Sequence, residues 1–356
     1  MIVRVRVLLV AFGLLSACQV TGTFECGLDE VCRRGNDLGV CEVEGYCSFG
    51  DAACPSGRRY ADNAGDGFAN ECVSDMAEPL TCLERWKTDV VHFGAVTDLG
   101  VNSPQDDRDP WMSSAGNTLL FSSTRGGTTT GADIYLASRA DTTVPFGAPA
   151  IVGALSSAQS DSRTTVSADL LTIYFNSSRA GGKGGSDVWR ATRTTPTSGL
   201  SSGDQATLDL VNTPDDEHDA ALSNSGLHLY LASSRTGITQ RLVMATRTTT
   251  ADAFDTPSVI TELDVGDSNA DPAVSPDELL MVFTSTRASE LGGSNLWYTT
   301  RARITEKWLP PRIVPDVNIA GEEGDAHLAD DGCTLVFSRA TSAIEPRDLV
   351  YAVVTP

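Results

Sequence analysis

The sequence predicts an all-β fold: a five-bladed β-propeller, closed by an N-terminal strand and preceded by a small disulfide-rich segment. Three observations carry this. A strand–turn–strand unit recurs with its starts at Asp109, Arg163, Asp219, Asp271 and Asp325, in steps of 54, 56, 52 and 54 residues; such regularity marks a repeat architecture. The second segment of each unit is apolar at nearly every position, so it expects protein on both faces. Helical periodicity is absent from 90–356, and short strands at a fixed period are the signature of propeller blades.

The elements follow in order. The first segments begin at the five positions above and run into turns: "SAGN", "SAD", "SNSG", "SPDE" and "ADDG". These carry the Gly, Asn, Asp and Ser that tight hairpins require. Second segments are "TLLFSSTR" (118–125), "LTIYFNSSR" (171–179), "LHLYLASSR" (227–235), "LLMVFTSTR" (279–287) and "TLVFSR" (334–339). Third segments lie at 132–139, 186–193, 240–247, 294–301 and 347–354. Outer strands are expected within 146–157, 206–212, 254–264 and 307–317. The last unit has none, but a matching stretch, "HFGAVTDLGVNS" (92–103), precedes the first. Five inner triplets and five outer strands make five blades if 92–103 completes the last one, which leaves no open sheet edge.

Nine cysteines are present, eight of them between Cys18 and Cys82. Cys26, Cys32, Cys41, Cys47, Cys54, Cys72 and Cys82 sit among Gly, Asp and Asn with few large apolar residues, a composition that needs crosslinks to fold. No C-x2-C pair and no His in 26–82 supports a zinc site, so these seven and Cys333 are read as disulfide-bonded. Connectivity cannot be read from spacing, with one exception. Cys333 opens the second strand of the closing blade and Cys82 lies about ten residues before that blade's outer strand. A Cys82–Cys333 bond would fasten the ring where the chain itself does not, stabilising it by about 2–4 kcal/mol.

The formal net charge is -21. That argues against nucleic acid, whose phosphates need clustered Lys and Arg, and against electrostatic attraction to an anionic bilayer. The N-terminus, "MIVRVRVLLVAFGLLSACQV", has two early arginines and a short apolar core, the plan of a signal peptide. "LSAC" resembles the bacterial lipobox. The resemblance implies removal of residues 1–17, acylation of Cys18, and a lipid-anchored life in the bacterial cell envelope. Gln19 in place of Asp favours the outer membrane. The expected domains are then a signal peptide (1–17), a Cys-rich spacer (18–87) and the propeller (88–356).

"DPAVSPDELLMVFTSTR" (271–287) with "SNLWYTTR" (294–301) resembles the TolB-type propeller repeat, whose units read D-P-x-x-S-P-D-G, an apolar strand ending S-x-R, then a short D-I/L-Y strand. The resemblance covers about 92–356 and departs from the pattern at Arg163 and Arg241. It implies a protein-binding propeller, with envelope proteins or peptides as partners, or the propeller part of a peptidase. The peptidase reading lacks its α/β-hydrolase domain and any G-x-S-x-G turn.

No reaction motif is evident, so the chain reads as a non-enzymatic platform. Acidic residues gather where each outer strand passes to the next inner strand. Asp107, Asp109, Asp219, Asp271 and Asp325 would ring one channel mouth, either as turn-stabilising side chains or as oxygen ligands for Ca²⁺ or a similar hard cation; no other cofactor is expected. Glycoside hydrolysis is an alternative, since several such enzymes use five blades. It needs two carboxylates in different roles, whereas these acids obey the repeat. Residues that break it include Trp111, Arg163, His218 and His327. Trp111 and His327 hold the same repeat position on blades that become neighbours only after closure. With Asp109, Glu323 and Asp325 they are expected to form a stacking and hydrogen-bonding patch for a sugar or a peptide end. The repeated Arg125, Arg179, Arg235 and Arg287 are expected to pair with Asp133 or Asp187.

Overall fold

The computed structural model describes residues 26, 32–42, 45–73, 80–126, 131–196, 198–200, 205–237, 239–265 and 268–355. The expected signal peptide and Cys18 lie outside them. The chain divides into two compact units, between Pro79 and Leu80. Among the described residues no helix is long and apolar enough to cross a membrane.

The first unit holds a two-stranded ladder, β1 (Arg33–Arg34) with β2 (Asp37–Leu38), and a three-stranded sheet of β3 (Val40–Cys41), β4 (Cys47–Gly50) and β5 (Arg58–Tyr60). Its apolar clusters are small: Phe49 and Ala61 with cysteines, and Tyr46, Tyr60 and Ala64 with Phe68. Disulfides Cys26–Cys41, Cys32–Cys47 and Cys54–Cys72 supply what so little core cannot.

The second unit opens with α1 (Cys82–Lys87), started by a Thr81–Glu84 capping box, and continues into β6 (Thr97–Asp98). Five four-stranded antiparallel sheets follow. The first is β7 (Asp107–Met112), β8 (Thr118–Ser123), β9 (Asp133–Ser138) and β10 (Ala150–Ile151). The second is β11 (Asp161–Val166), β12 (Thr172–Ser177), β13 (Asp187–Thr192) and β14 (Gln205–Thr207). The third is β15 (Glu217–Leu222), β16 (His228–Ser233), β17 (Arg241–Thr246) and β18 (Ser258–Val259). The fourth is β19 (Asn269–Val274), β20 (Leu280–Ser285), β21 (Asn295–Thr300) and β22 (Arg312–Ile313). The last joins β23 (Glu322–Leu328), β24 (Thr334–Ala340) and β25 (Asp348–Val353) to β6. Val350 pairs with Asp98 and Tyr351 with Thr97, and Phe93 bridges Val354. Inner strands touch in the order β7, β11, β15, β19, β23 and back to β7. The architecture is all-β and that of a propeller.

Second strands are buried almost throughout, as two-sided packing requires; Leu119, Leu229, Leu231, Phe283, Leu335 and Phe337 are all below 2% exposed. Outer strands are much shorter than the sequence predicts, two or three residues each. Pro149, Pro257 and Pro311 stand just before three of them, and proline removes the N–H that would lengthen the ladder.

Two arginine belts recur around the ring. The first pairs the arginine at or just beyond the end of each second strand with a residue at the start of the inner strand: Arg125 with Asp107 and Arg179 with Asp161 (both 2.6 Å), Arg235 with Glu217 (3.2 Å), Arg287 with Asn269 (2.7 Å) and Arg339 with Glu323 (3.1 Å). Each also donates to a loop carbonyl, that of Val101, Leu155, Val211, Leu263 or Val317. Asp133 and Asp187 are therefore not the partners of Arg125, Arg179, Arg235 and Arg287. The inner strand's first side chain lies under the loop that delivers it, within a guanidinium's reach, and the two Nη groups can then hold side chain and loop together.

The second belt secures the hairpin turns. Arg139, Arg193, Arg247 and Arg301 each donate Nε–H to the carbonyl of a left-handed turn residue: Gly116, Leu170, Gly226 and Glu278, at 2.6–2.8 Å. The closing sheet has Val354 where the others have this arginine. There the Trp86 indole Nε1–H, from α1, donates to the Gly332 carbonyl at 2.9 Å. The Cys82–Cys333 disulfide joins the same helix to the same hairpin. Among the described residues Leu170 is the one apolar side chain held at a left-handed turn, with φ 62°. Glycine there relieves the strain, so Leu170→Gly should raise the unfolding free energy by about 1 kcal/mol in urea titrations. A loss of stability would show that the turn is not strained.

Candidate functional site: the axis and its two mouths

Every inner strand breaks register at the same point, between Arg108 and Trp111, Ser162 and Thr164, His218 and Ala221, Ala270 and Ala273, and Gly324 and His327. The bulge residues are Asp109, Arg163, Asp219, Asp271 and Asp325, all left-handed, with φ between 38° and 59°. Aspartate tolerates this region better than most side chains; the arginine is the exception. A bulge re-aims its side chain, and here five of them meet at the axis.

The ring is tied by hydrogen bonds. The Asp271 N–H donates to Asp219 Oδ2 (3.4 Å), and the Asp325 N–H to Asp271 Oδ2 (3.0 Å). Ser122 and Ser338 hydroxyls donate to Asp109 and Asp325. Arg163 is 4% exposed. Its Nη2 donates to the carbonyls of Pro272 (3.2 Å) and Ala326 (3.3 Å), and its Nη1 lies 3.9 Å from Asp271 Oδ1. One guanidinium thus spans from the second sheet to the fourth and fifth and closes the axis.

Electrostatics divide the acids. Burial, then the Asp271 charge, push Asp219 and Asp325 well above the ordinary carboxylate value. Burial also opposes ionisation of Asp271, but Arg163 and its hydrogen bonds outweigh this and hold it below that value. Burial works against the Arg163 charge too, yet Asp271, Asp219, Asp109 and Asp325 together raise its hold on the proton.

Of the acids expected to bind Ca²⁺, Asp109, Asp271 and Asp325 bring carboxylate oxygens within 4.8 Å of one another. Asp219 stands in the same ring, but Asp107 does not: it is fully buried against Arg125 and accepts the Ser103 N–H. The bulge is the reason, since it separates the facing of two acids only two residues apart. Three carboxylates suit a hard cation but fall short of the roughly six oxygens calcium takes. Arg163 already places a positive charge among them.

Two cavities flank this closure. The wider one, about 550 Å³, sits at the start of the inner strands. Asp106, Asp109, Asp219, Asp271, Glu322 and Asp325 line it against Arg108 and Arg347, with His218 and several Ser and Thr hydroxyls. The narrower one, about 120 Å³, lies at the opposite end and includes Trp111, Arg163, Thr164, Thr165 and His327. Trp111 and His327 do meet, with ring centroids 6.2 Å apart. Burial, then the Arg163 charge, lower His327 to about 4, so it is neutral at physiological pH. The expected five-residue patch does not form. Asp109 and Asp325 face the other mouth, and Glu323 is fully buried, with Arg339 beside it and the Ile319 N–H bonded to it. Arg163, one of the residues that break the repeat, is the one break in the row of aspartates that lead the units.

No family model and no curated protein matches the chain. Solved structures do. A thermostable family-43 glycoside hydrolase is similar at 10% identity and TM-score 0.50, over 72% of this chain and 91% of that one. An α-L-arabinofuranosidase from Podospora anserina, solved with cellotriose, is similar at 11% identity and TM-score 0.51, over 73% and 95%. TolB from Acinetobacter baumannii matches at 13% identity and TM-score 0.44, over 72% of this chain and 56% of that one, so the chain spans little more than half of that relative's length. At these identities the likeness is one of fold.

Proposed function

We propose that the chain is a five-bladed propeller acting as a non-enzymatic binding platform in the cell envelope, anchored through acylated Cys18. The wide mouth is its docking cup. The supporting observation is the closed axis: the carboxylates beneath the cup follow the repeat, hold the bulges, and are bonded to one another's backbone. Groups fixed in this way serve structure, whereas glycoside hydrolysis needs an acid and a base held apart in separate roles. Six acidic side chains line the cup against two guanidiniums; even with Asp219 and Asp325 pushed up by burial, the acids outnumber the arginines, so the partner presented is a basic protein segment. Nucleic acid is disfavoured by the same charge.

The test places a photo-crosslinking amino acid at His218 or Gln240, in the cup, and at the distant Asp141, in intact envelopes. One shared partner captured at the first two positions only, through a Lys- or Arg-rich peptide, supports the reading. Hydrolysis of arabinan or xylan by the purified chain, lost on Asp109→Asn, overturns it.

A further inference from the structure

The third residue of each second strand packs toward the next sheet of the ring: Leu120, Tyr174, Tyr230, Val282 and Val336. Two of them are tyrosines. Each hydroxyl oxygen accepts from the second-belt arginine of that next sheet, Tyr174 from Arg247 (3.3 Å) and Tyr230 from Arg301 (2.9 Å). Both guanidiniums are held alike. Nε sits on a turn carbonyl and the flat face lies over an aromatic ring, Phe254 at 4.3 Å and Trp308 at 4.0 Å. Arg139 is set in the same way, with Nε on the Gly116 carbonyl (2.6 Å) and its face over Phe146 (4.3 Å). The residue opposite it, in the closing sheet, is Val336 and not tyrosine. Among the described residues no hydrogen-bond acceptor meets the Arg139 Nη groups.

The other two junctions without tyrosine are filled by tryptophan: Trp86 shares the apolar cluster of Val282, and Trp189 that of Leu120. At Val336 a cavity of about 400 Å³ stays open, lined by Arg139, Leu99, Met112, Val336 and Val353. That volume falls in the range of small-molecule pockets, about 300–1,000 Å³. Arg139 is half-buried, so its Nη groups can be reached from the cavity. Apolar walls with one guanidinium suit an apolar ring that carries a hydrogen-bond acceptor. The rim narrows the acceptor, because Asp330 and Asp331 stand there exposed. A carboxylate would meet both of them, whereas a phenol is uncharged at neutral pH and its oxygen still accepts.

We propose that this slot, between the closing and first sheets, binds a phenol ring, with its oxygen on Arg139 Nη and its ring against Met112 and Val336. Tyr174 and Tyr230 make the same contact from within at two other junctions. The slot lies at the hairpin-turn end of the ring, shares no lining residue with the docking cup, and does not depend on it.

The full-length protein would be titrated with p-cresol, toluene, 4-methylbenzoate and N-acetyl-L-tyrosinamide by saturation-transfer NMR. p-Cresol should bind with a Kd of about 1 mM, as one ring with few contacts allows. Toluene, which lacks the oxygen, should bind about tenfold more weakly. Val336→Tyr supplies the missing ring from within, so it should keep the wild-type Tm and weaken p-cresol at least tenfold. Arg139→Gln removes the guanidinium but not the apolar walls, so p-cresol should fall to the affinity of toluene. N-acetyl-L-tyrosinamide binding at least as tightly as p-cresol assigns the slot to a partner's tyrosine, and weaker binding assigns it to a free phenol. No saturable binding of p-cresol up to about 20 mM overturns the proposal. So does toluene binding as tightly as p-cresol, tighter binding of 4-methylbenzoate, or undiminished p-cresol binding in Val336→Tyr or Arg139→Gln.

Discussion

Trp86→Ala should cost about 3–5 kcal/mol of unfolding free energy in the disulfide-intact protein, the range for truncating a large buried aromatic side chain. Trp86 is 1% exposed and sits in the core cluster shared by the fourth and closing sheets. It packs edge-on against Phe93 (5.4 Å) and Tyr298 (5.1 Å). Its indole also replaces the arginine that secures the hairpin in the other four sheets, through the bond to Gly332. Trp86→Phe separates the two roles. It keeps most of the packing and loses the bond, so it should cost about 1–2 kcal/mol. Urea unfolding followed by far-UV circular dichroism checks both. A cost below about 1 kcal/mol for Trp86→Ala would mean that the helix decorates the ring without closing it.

Arg163→Met should destabilise the protein by about 3–5 kcal/mol near pH 7, because removing one partner strands buried charge of the other sign. The pH dependence gives a sharper signature. In the native protein Asp219 and Asp325 bind protons more tightly than in the unfolded chain. Their stabilising contribution is complete below the unfolded value of 3.8 and is lost as pH rises through their folded values. Asp271 behaves oppositely: its contribution is present above 3.8 and falls away in acid. Without the guanidinium, Asp271 joins the raised group. The variant should therefore recover part of its deficit as the pH falls from neutral towards the ordinary carboxylate value, where wild type gains less. Asp271→Asn in the same background should restore more, since it removes the stranded charge. A deficit that does not change with pH would show that Arg163 acts through packing alone.

Most of the architecture was legible because it rests on period and counting. Two-sided burial of the second strands, the pairing of β6 with β25 and the Cys82–Cys333 bond all follow from aligning repeats. The contact of Trp111 with His327 follows once the repeat is read as a circle. The axis was not legible, because a one-residue bulge decides which way each side chain points, and strict alternation cannot anticipate it. Hence Asp107 and Asp109, two residues apart, looked equivalent, although one is buried against Arg125 and the other is on the axis. The belt partners were hidden for a related reason. Arg125 bonds Asp107 and Val101, eighteen and twenty-four residues upstream, and only the path of the loop brings them together. Trp86 replacing an arginine left no trace in the repeat, since it comes from outside it.

The two belts also bear on how this molecule meets others. Nine arginines of the belts, with Arg163, make ten of the 26 lysines and arginines in the chain. All ten donate inward to carbonyls. The sixteen others stand against 47 aspartates and glutamates. Encounters with positively charged molecules should therefore be fast at low ionic strength and slow steeply as salt is added. Polyanions should be turned away before any contact forms.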